Sequence, residues 1–509
     1  MKKILNITLL AAALSISFSC SDELLQNNGV SGESQPTDTF TDAQLAQGAT
    51  TNDAVPAGFI NGIYAQMFQT ETGGTTGHDD FGQKGYDIFG DMLSGDMALS
   101  VSSYGWYRSD ITEFQAPLDF TRGRNRMVWR YYYRIIRSAN NVIQSLGGND
   151  ATPDLQENKF NLGQAKVMRA HSYFYLTQYF QKEYNGAEEI LPIYIEPITS
   201  NLPKSTASEV YDLMENDLTE AISLLEGFNR SNKVQVNQDI ARMMLAYVLG
   251  AKGGRDVEVA TLTQQVIDAG NHVMLAADEV TNGFNNYQNP SWMWGVDVTE
   301  TNGLGLVSWW GQVDAYSYSY AWAGDYKAMD SDLYAAIPND DSRKKQFLNV
   351  PTNGRYLQPL LKFYYSDEAI KDPEDFGTGP QTGLTADYVY MRIEEAYLLN
   401  AEANAKAGAE SAARTSLKAL VERRMPDASY IDALTGQALL DEIYLQTRIE
   451  LWGEGKSYLA MKRFKATTTR GANHLSYVGE AIPYNDERMQ FEIPLDEIQN
   501  NPFITDQNQ

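Results

Sequence analysis

Aromatic side chains are concentrated in one stretch of the chain, SWWGQVDAYSYSYAW, which runs from Ser308 to Trp322. Between Trp309 and Tyr326, seven of the eighteen residues are Trp or Tyr, whereas a chain that is 11% aromatic would place about two there. Glycine, serine and other short polar residues separate the rings, so this stretch is not predicted to be a buried helix. The rings are therefore candidates for contact with a ligand.

Flat apolar rings set among short polar residues are suited to binding sugars. A sugar ring carries patches of C–H groups that an aromatic face can cover, while its hydroxyl groups need polar partners. An exposed aromatic cluster without a partner would also favour aggregation. The composition therefore predicts glycan contacts, and the candidate residues in this stretch are Trp309, Trp310, Gln312, Asp314, Tyr316, Tyr318 and Trp322.

A second aromatic cluster lies in VSSYGWYRSD, where Tyr104 and Trp106 are flanked by glycine and serine. Adjacent residues of a strand point to opposite sides, so one ring of the Trp309–Trp310 pair could be buried and the other exposed. We expect the exposed ring of that pair, together with Trp322, to face Trp106 across a shallow site. The other rings are expected to divide between this site and its support.

Alternation of side chains predicts strands around two of these groups. In YSYSY, alternation would place Tyr316, Tyr318 and Tyr320 on one face of a strand. In NPSWMWGVDVT, Trp292 and Trp294 would likewise share one face, which we expect to pack on the core. Trp292 is nevertheless kept as a further candidate for ligand contact.

The sequence offers no convincing catalytic or metal-binding pattern. None of the four histidines, His78, His171, His272 and His474, has metal-ligand spacing, and His171 is expected to be a core residue. No catalytic residue and no cofactor are predicted. The adjacent acids Asp79–Asp80 and Asp340–Asp341 lack the spaced ligands of a calcium loop, so we expect solvated turns there.

Helical periodicity marks the elements that must position these residues. The clearest stripe runs through Val128, Tyr132, Ile135, Ala139 and Val142, at spacings of three and four residues. Similar patterns predict amphipathic helix pairs at about 120–270 and 386–465, with alanines at close crossings and glycines at the ends. Such pairs resemble degenerate tetratricopeptide (TPR) units, so the predicted fold is mainly α, with long irregular loops and a few short strands.

Helical periodicity fades between about 275 and 385, where Gly, Asn, Tyr and Trp become more frequent. A region of this length inside a helical protein is an elaborated binding region or disorder, and its aromatic content argues against disorder. We expect ligand-face loops at about 70–118 and 275–385.

The N-terminal segment resembles a bacterial lipoprotein signal. Two lysines precede an apolar run from Ile4 to Phe18, which ends shortly before Cys20, the single cysteine of the chain. The sequence predicts a signal peptide at 1–19, lipid attachment at Cys20, a tether at 20–55 and one body at 56–509. An ordinary signal peptide with an incidental cysteine is the alternative.

The net charge of −26 over 509 residues excludes a nucleic-acid-coating protein, because phosphates would be repelled. The acidity is consistent with a body exposed to an outside medium. It does not indicate a fold.

Several segments, taken in order, resemble the SusD/RagB family. They are the Cys20-Ser-Asp-Glu start, MVWRYYYRIIRSANNVI at 127–143, AKVMRAHSYFYLTQYF at 165–180, PNDDSR at 338–343, and MRIEEAYLLNAEANAKAG at 391–408. The most specific match is TRIELWGEGKSYLAMKRF at 447–464, followed by FEIPLDEIQNNP at 491–502, in which Glu492 and Ile493 stand where the family has a further proline.

The resemblance implies an outer-membrane lipoprotein of Bacteroidetes that faces the cell exterior and has no catalytic activity. Such proteins capture nutrients for a SusC-like TonB-dependent transporter, and they use a TPR-like scaffold to contact it. Together with the aromatic clusters, this predicts capture of an oligo- or polysaccharide. A peptide-binding lid, a gating subunit without ligand affinity and a glycosidase remain alternatives.

Overall fold

Helices carry most of the regular structure of this chain. The computed structural model describes residues 54–371 and 376–508, all within one compact unit. The predictions for residues 1–53, including lipid attachment at Cys20, lie outside the described residues. No described helix is long and apolar enough to cross a membrane.

The mainly α fold class is confirmed by the order of the elements. The helices of the N-terminal half are α1 (Ala54–Gln66), α2 (Gln83–Leu93), α3 (Gln115–Leu118), α4 (Gly123–Ser145), α5 (Gln156–Phe180), α6 (Ala207–Leu224), α7 (Gln238–Lys252) and α8 (Asp256–Asp268). Those that follow are α9 (Trp309–Val313), α10 (Tyr320–Ala323), α11 (Ser331–Ala336), α12 (Ile393–Lys406), α13 (Glu410–Val421), α14 (Gly436–Glu450), α15 (Ser457–Arg463) and α16 (Leu495–Asn500).

The described strands form five antiparallel pairs, each a two-stranded sheet. The strands are β1 (Met97–Ser102), β2 (Glu189–Leu191), β3 (Ser205–Thr206), β4 (Trp292–Val296), β5 (Leu304–Gly305), β6 (Asp325–Met329), β7 (Thr382–Leu384), β8 (Tyr388–Arg392), β9 (Thr467–Thr469) and β10 (Ala481–Pro483). The pairs are β1–β6, β2–β3, β4–β8, β5–β7 and β9–β10. The predicted strand around Trp292 is thus confirmed as β4.

The long helices pack against one another in sequence. Contacts run from α4 through α5, α6, α7 and α8 to α12, and from there to α13 and α14. Local sequence sets the ends of several helices. Thr206 and Glu209 form a capping box at the start of α6, and Gly147 and Gly148 adopt left-handed conformations just after α4. The predicted apolar stripe of α4 is buried along its whole length.

Helix α5 is buried on nearly all sides rather than on the single predicted face. Its polar residues are accommodated by partners on neighbouring helices. Arg169 donates hydrogen bonds to both oxygens of Asp217 on α6, at 2.7 and 2.8 Å from its Nη2 and Nε atoms. His171 is a core residue as predicted, and burial lowers its pKa to about 3.

Two local predictions for the aromatic stretch are wrong. Trp309–Val313 forms the short buried helix α9, because the Ser308 hydroxyl caps it by accepting a hydrogen bond from Gly311 N. Gly311 allows the helix to approach Leu306 closely, since a Cβ atom there would lie 2.0 Å from the Leu306 carbonyl oxygen. The YSYSY segment forms no strand, and Tyr320 instead begins α10.

A buried ion cluster around Glu450 joins distant parts of the chain. The Glu450 carboxylate accepts hydrogen bonds from Arg343 at 3.0 Å, Arg392 at 2.7 Å and Arg424 at 2.8 Å. Burial alone would raise the pKa of Glu450, but the charges of Arg424 and Arg392 outweigh burial and hold this pKa well below its usual range. These arginines come from the 3-10 turn after α11, the end of β8 and the segment after α13.

The cluster is balanced in charge. Four cations, those of Arg343, Lys362, Arg392 and Arg424, form ion pairs with the four carboxylates of Asp341, Glu394, Glu450 and Glu454. Several segments that resemble the SusD/RagB family supply these residues. The segments that carry the resemblance therefore stabilise the fold, and they do not indicate where a ligand binds.

Replacement of Glu450 by Gln should destabilise the fold strongly, because three buried arginines lose their shared negative charge. We expect the free energy of unfolding to fall by about 3–5 kcal/mol in urea denaturation. The control is Glu226→Gln, which changes an exposed side chain just after α6 and should leave stability within about 0.5 kcal/mol. A loss for Glu450→Gln as small as that of the control would contradict the importance of the cluster.

Candidate functional site

Six of the candidate glycan contacts are buried and present no face to solvent. The prediction that Trp309 or Trp310 is exposed is wrong, as is the polar rim expected from Gln312 and Asp314. The six residues are Trp292, Trp309, Trp310, Gln312, Asp314 and Tyr316.

Contacts with segments far away in the sequence bury the two adjacent tryptophans. Trp310 Nε1 donates a hydrogen bond of 2.9 Å to the Ala386 carbonyl. Trp309 lies edge-to-face against Phe363, with 5.2 Å between ring centroids, and Lys84 Nζ lies 4.2 Å from its centroid. Because α9 is a helix, neighbouring rings need not point to opposite sides as they would in a strand.

The two buried polar candidates hold the backbone of the loops. Asp314 Oδ2 accepts a hydrogen bond from Ser317 N at 2.7 Å, and burial raises the Asp314 pKa to about 6. Gln312 Nε2 donates to the carbonyl oxygen of His78 at 2.9 Å. Asp314 and Gln312 therefore hold the backbone of the loops in place from the protein interior.

The remaining candidates lie at the surface. Tyr104 is 60% exposed and Tyr318 is 46% exposed, while Trp106 and Trp322 are partly buried. Ring contacts connect Tyr104 and Trp106 to two residues that were not among the candidates, His78 and Tyr320. We call the whole group the aromatic patch; its members are His78, Tyr104, Trp106, Tyr318, Tyr320 and Trp322.

Tyr320 is the centre of the larger part of the aromatic patch. Its ring meets His78, Tyr104 and Trp106 edge-on, at centroid distances of 5.7, 5.3 and 5.9 Å. Its hydroxyl forms a 2.6 Å hydrogen bond with His78 Nδ1. His78 in turn stacks on Trp106, with centroids 5.3 Å apart and ring planes inclined by only 3°. The orientation of Trp106 is therefore fixed from one side.

The rings of Tyr318 and Trp322 form the other part of the aromatic patch. Their centroids are 5.1 Å apart and their planes are inclined by 45°. The backbone of Gly377 packs against Trp322, so closely that a Cβ atom would lie 2.1 Å from the indole. Gly377 also has a φ of 72° and donates a hydrogen bond to the Ala315 carbonyl. A side chain at position 377 would displace Trp322.

The β1–β6 pair brings together the two loops that carry most of the aromatic patch. Ser102, the last residue of β1, pairs with Asp325, the first residue of β6. Ser103 N then donates to the Gly324 carbonyl, so the loop after β1 and the segment before β6 leave the sheet side by side. The two aromatic clusters of the sequence become one surface for this reason.

A buried polar network underlies the aromatic patch. Asp325 accepts hydrogen bonds from the backbone N–H groups of Tyr104 at 2.8 Å and Trp106 at 3.3 Å. Lys327 Nζ donates to Gln312 Oε1 at 2.7 Å and to the Asp325 carbonyl at 3.1 Å. Burial lowers the Lys327 pKa to about 8. The network contacts the loop that carries Tyr104 and Trp106 through Asp325, and the loop that carries His78 through Gln312. Gln312 and Asp325 themselves flank the third segment, which carries Tyr318, Tyr320 and Trp322.

His78 and Tyr320 are residues of the candidate site that the sequence prediction lacks. The one available signal for His78 is that it follows a loop rich in glycine and threonine. The alternation of YSYSY predicts a strand for Tyr320, whereas Tyr320 begins α10. Local sequence does not show that the two residues share a hydrogen bond across 242 positions.

The paired aspartates are mostly not the solvated turn residues that were predicted. Asp79 and Asp80 are buried; Arg124 donates to Asp79 at 2.7 Å, and the backbone of Gly73 donates to Asp80 at 2.8 Å. Asp341 belongs to the ion cluster, and only Asp340 is exposed. Among the described residues, no group of three or more His, Cys, Asp or Glu side chains is arranged to hold a metal ion.

Comparison with known proteins gives family matches in both halves of the chain. Residues 87–247 match a SusD-like family described as starch-binding and associating with the outer membrane. Residues 360–509 match the SusD family model, also named SusD_RagB. Together the two matches span more than half of the chain. No curated protein matches it.

Solved structures with the same fold cover nearly the whole chain. A SusD-like carbohydrate binding protein from Bacteroides vulgatus has 22% identity and a TM-score of 0.73, over 89% of this chain and 97% of its own. A SusD superfamily protein from Bacteroides thetaiotaomicron has 23% identity and a TM-score of 0.72, over 90% and 99%. Surface glycan-binding protein A from Bacteroides thetaiotaomicron, solved with laminarihexaose, has 15% identity and a TM-score of 0.66, over 90% and 99%.

The order of the helices, the segments that supply the ion cluster and the two family matches agree with one another. The chain belongs to the SusD/RagB family.

Proposed function

We propose that this protein captures an oligo- or polysaccharide on the aromatic patch at the cell surface and delivers it, without catalysis, to a SusC-like TonB-dependent transporter. One observation carries the proposal. Two separate aromatic clusters of the sequence meet in a single surface group whose outermost rings, Tyr104 and Tyr318, are among the most exposed large apolar side chains in the described part of the chain.

The chemistry of the aromatic patch favours a sugar over a charged ligand. Contact between an aromatic ring and the C–H groups of a ligand favours binding, because it adds dispersion contacts and displaces water. The two charged residues beneath the rings, Asp325 and Lys327, are buried and hydrogen-bonded to other groups of the protein. The partly buried Arg355 donates to the Trp322 carbonyl oxygen at 3.0 Å. A ligand at this surface would therefore meet mainly the aromatic rings.

The family comparisons support the same class of ligand. One matching family is described as starch-binding, and one protein of the same fold was solved with laminarihexaose. Family membership and the N-terminal sequence support the proposed delivery to a transporter, the outer-membrane location and the lipid anchor at Cys20. In this proposal the helical pairs of the scaffold contact the transporter and the aromatic patch faces outward.

Rigid positioning of the rings should contribute to affinity. A side chain that is already fixed loses little conformational entropy when a ligand binds. His78 fixes Trp106 by stacking, Gly377 fixes Trp322 by contact, and Asp325 fixes the backbone that carries Tyr104. The aromatic patch should therefore keep its shape between the free and bound states.

Removal of two rings from the aromatic patch should abolish most glycan binding. We expect the double variant Trp106→Ala/Tyr318→Ala to weaken binding by about tenfold or more per ring, because each ring supplies its own contact area. The measurement is retardation in affinity gels that contain a panel of polysaccharides, followed by calorimetry with the oligosaccharide of the best one.

The matched control is Phe503→Ala, which removes an aromatic ring that is 59% exposed but lies outside the aromatic patch. It should bind like the unmodified protein. Undiminished retardation of the folded double variant would refute the proposed site. Binding to an unstructured peptide mixture, with none to any glycan, would support the peptide importer instead.

Replacement of Asp325 by Asn should loosen the loop that carries Tyr104 and Trp106. An amide has only one acceptor oxygen, so one of the two backbone N–H groups loses its partner, at a cost of about 1–3 kcal/mol. We expect faster hydrogen–deuterium exchange at 103–107 and weaker glycan binding. Asp278→Asn, at an exposed aspartate, should change neither; unchanged exchange in Asp325→Asn would contradict this role.

A further inference from the structure

A pocket of about 300 Å³ lies in the helical scaffold, among elements that contribute nothing to the aromatic patch. It opens where the C-terminal ends of α5, α7, α12 and α15 come together. A volume of this size is at the lower end of the range for pockets that bind small molecules. The glycan proposal makes no use of it.

Basic residues dominate the charged lining of this pocket. The lining carries six basic and two acidic side chains, an unusual local excess in a chain with a net charge of −26. The basic residues are Lys182, Lys252, Lys406, Lys462, Arg463 and Lys465, and the acidic ones are Glu183 and Asp256.

Most of these cations already have carboxylate partners. Lys252 pairs with Glu215 at 2.6 Å, Lys406 and Arg463 share Glu402, and Lys465 pairs with Glu183 at 2.8 Å. These pairs neutralise part of the positive charge of the lining. The cations without such a partner are therefore the ones that matter for a ligand.

Lys462 is held in the pocket without a carboxylate counter-ion among the described residues. Its ammonium group donates instead to the backbone carbonyls of Gln178 and Gln181 at the end of α5, and it lies 5.2 Å from the centroid of Tyr458. Burial lowers its pKa to about 7. A partly buried cation held only by neutral oxygens would gain from an incoming negative charge.

Arg463, the next residue, also has unused hydrogen-bonding capacity. Its Nε and Nη2 atoms donate to Glu402, but its buried Nη1 has no partner within the described part of the chain. A buried donor without a hydrogen-bond partner destabilises the protein, and a bound acceptor would remove that penalty. Lys182, two residues after the end of α5, also lines the pocket and forms no ion pair with any carboxylate of the described ranges.

We propose that this pocket binds a small oxyanion, the carboxylate or sulfate group of a ligand, with Lys462 as the principal contact and Lys182 in support. The anion supplies the counter-charge that Lys462 lacks. The site is separate from the aromatic patch, so one molecule could hold a glycan and an anion together. Free anions and acidic saccharides carry the same chemical group, and both could fill the site.

Calorimetry on the intact folded protein tests the proposal with two probes. Sodium sulfate represents the free anion and D-glucuronate represents the carboxylate of an acidic saccharide, with glucose as the uncharged comparison. We expect saturable binding of at least one anion and none of glucose. Preference for glucuronate over sulfate would identify the saccharide source, and the reverse would identify the free anion.

Variants of Lys462 locate the binding. Lys462→Met keeps the length of the side chain but removes its charge, and should weaken anion binding by about tenfold or more. Lys462→Arg keeps the charge and should retain binding. Lys182→Gln should cause a smaller loss, while Lys418→Gln, on the surface of α13, should have no effect. Thermal unfolding of each variant identifies those that remain folded.

The pH dependence supplies a readout that loss of structure would not produce. Sulfate affinity should fall as pH rises from about 6 to about 9, because Lys462 loses its charge on passing through its pKa near 7. The other charged groups that bear on Lys462 are Glu183 and Glu188. The remaining charged residues of the lining are Lys182, Lys252, Asp256, Lys406, Arg463 and Lys465.

The folded Lys462→Met variant should show a flat profile over this range. Absence of saturable anion binding in the unmodified protein would overturn the proposal. Equal binding by unmodified protein and Lys462→Met would overturn it as well. Because none of these variants touches the aromatic patch, glycan retardation should be unchanged in all of them, so failure here is distinguishable from failure of the glycan proposal.

Discussion

The carboxylate of Glu450 is the point at which most of the architecture is tied together. Three arginines from separate segments converge on it, and Glu454 and Lys362 extend the same cluster. A buried carboxylate is costly without compensation, so the 3-10 turn after α11, the end of β8 and α14 must come together as one unit. This requirement couples the irregular middle region of the chain to the helical scaffold.

That coupling gives the binding loops a rigid base. Strand β8, which ends in Arg392, pairs with β4, and the Tyr388 hydroxyl accepts a hydrogen bond from Trp309 N at 3.0 Å. Helix α9 is thereby fixed, and its Gln312 reaches both His78 and Lys327. A continuous set of contacts leads from the ion cluster to the underside of the aromatic patch. The large buried tryptophans belong to this base and not to the ligand surface.

The sequence predicted the long helices and the family, because these depend on local periodicity and on ordered motifs. It could not predict which rings are exposed. Trp310 is buried through a hydrogen bond to a carbonyl 76 residues away, and Gln312 through one 234 residues away. Adjacent aromatic residues look alike in sequence, and only long-range partners decide which of them reach solvent.

We propose that the aromatic patch, held from beneath by the Asp325–Lys327–Gln312 network, is the surface that receives the glycan. The decisive measurement is a crystal structure with an oligosaccharide from the polysaccharide that binds best. We expect a sugar ring in van der Waals contact, about 4 Å, with at least two of Tyr104, Trp106, Tyr318 and Trp322, and these four side chains should keep the positions they have in the free protein. A sugar bound elsewhere, with the aromatic patch still open to solvent, would contradict it.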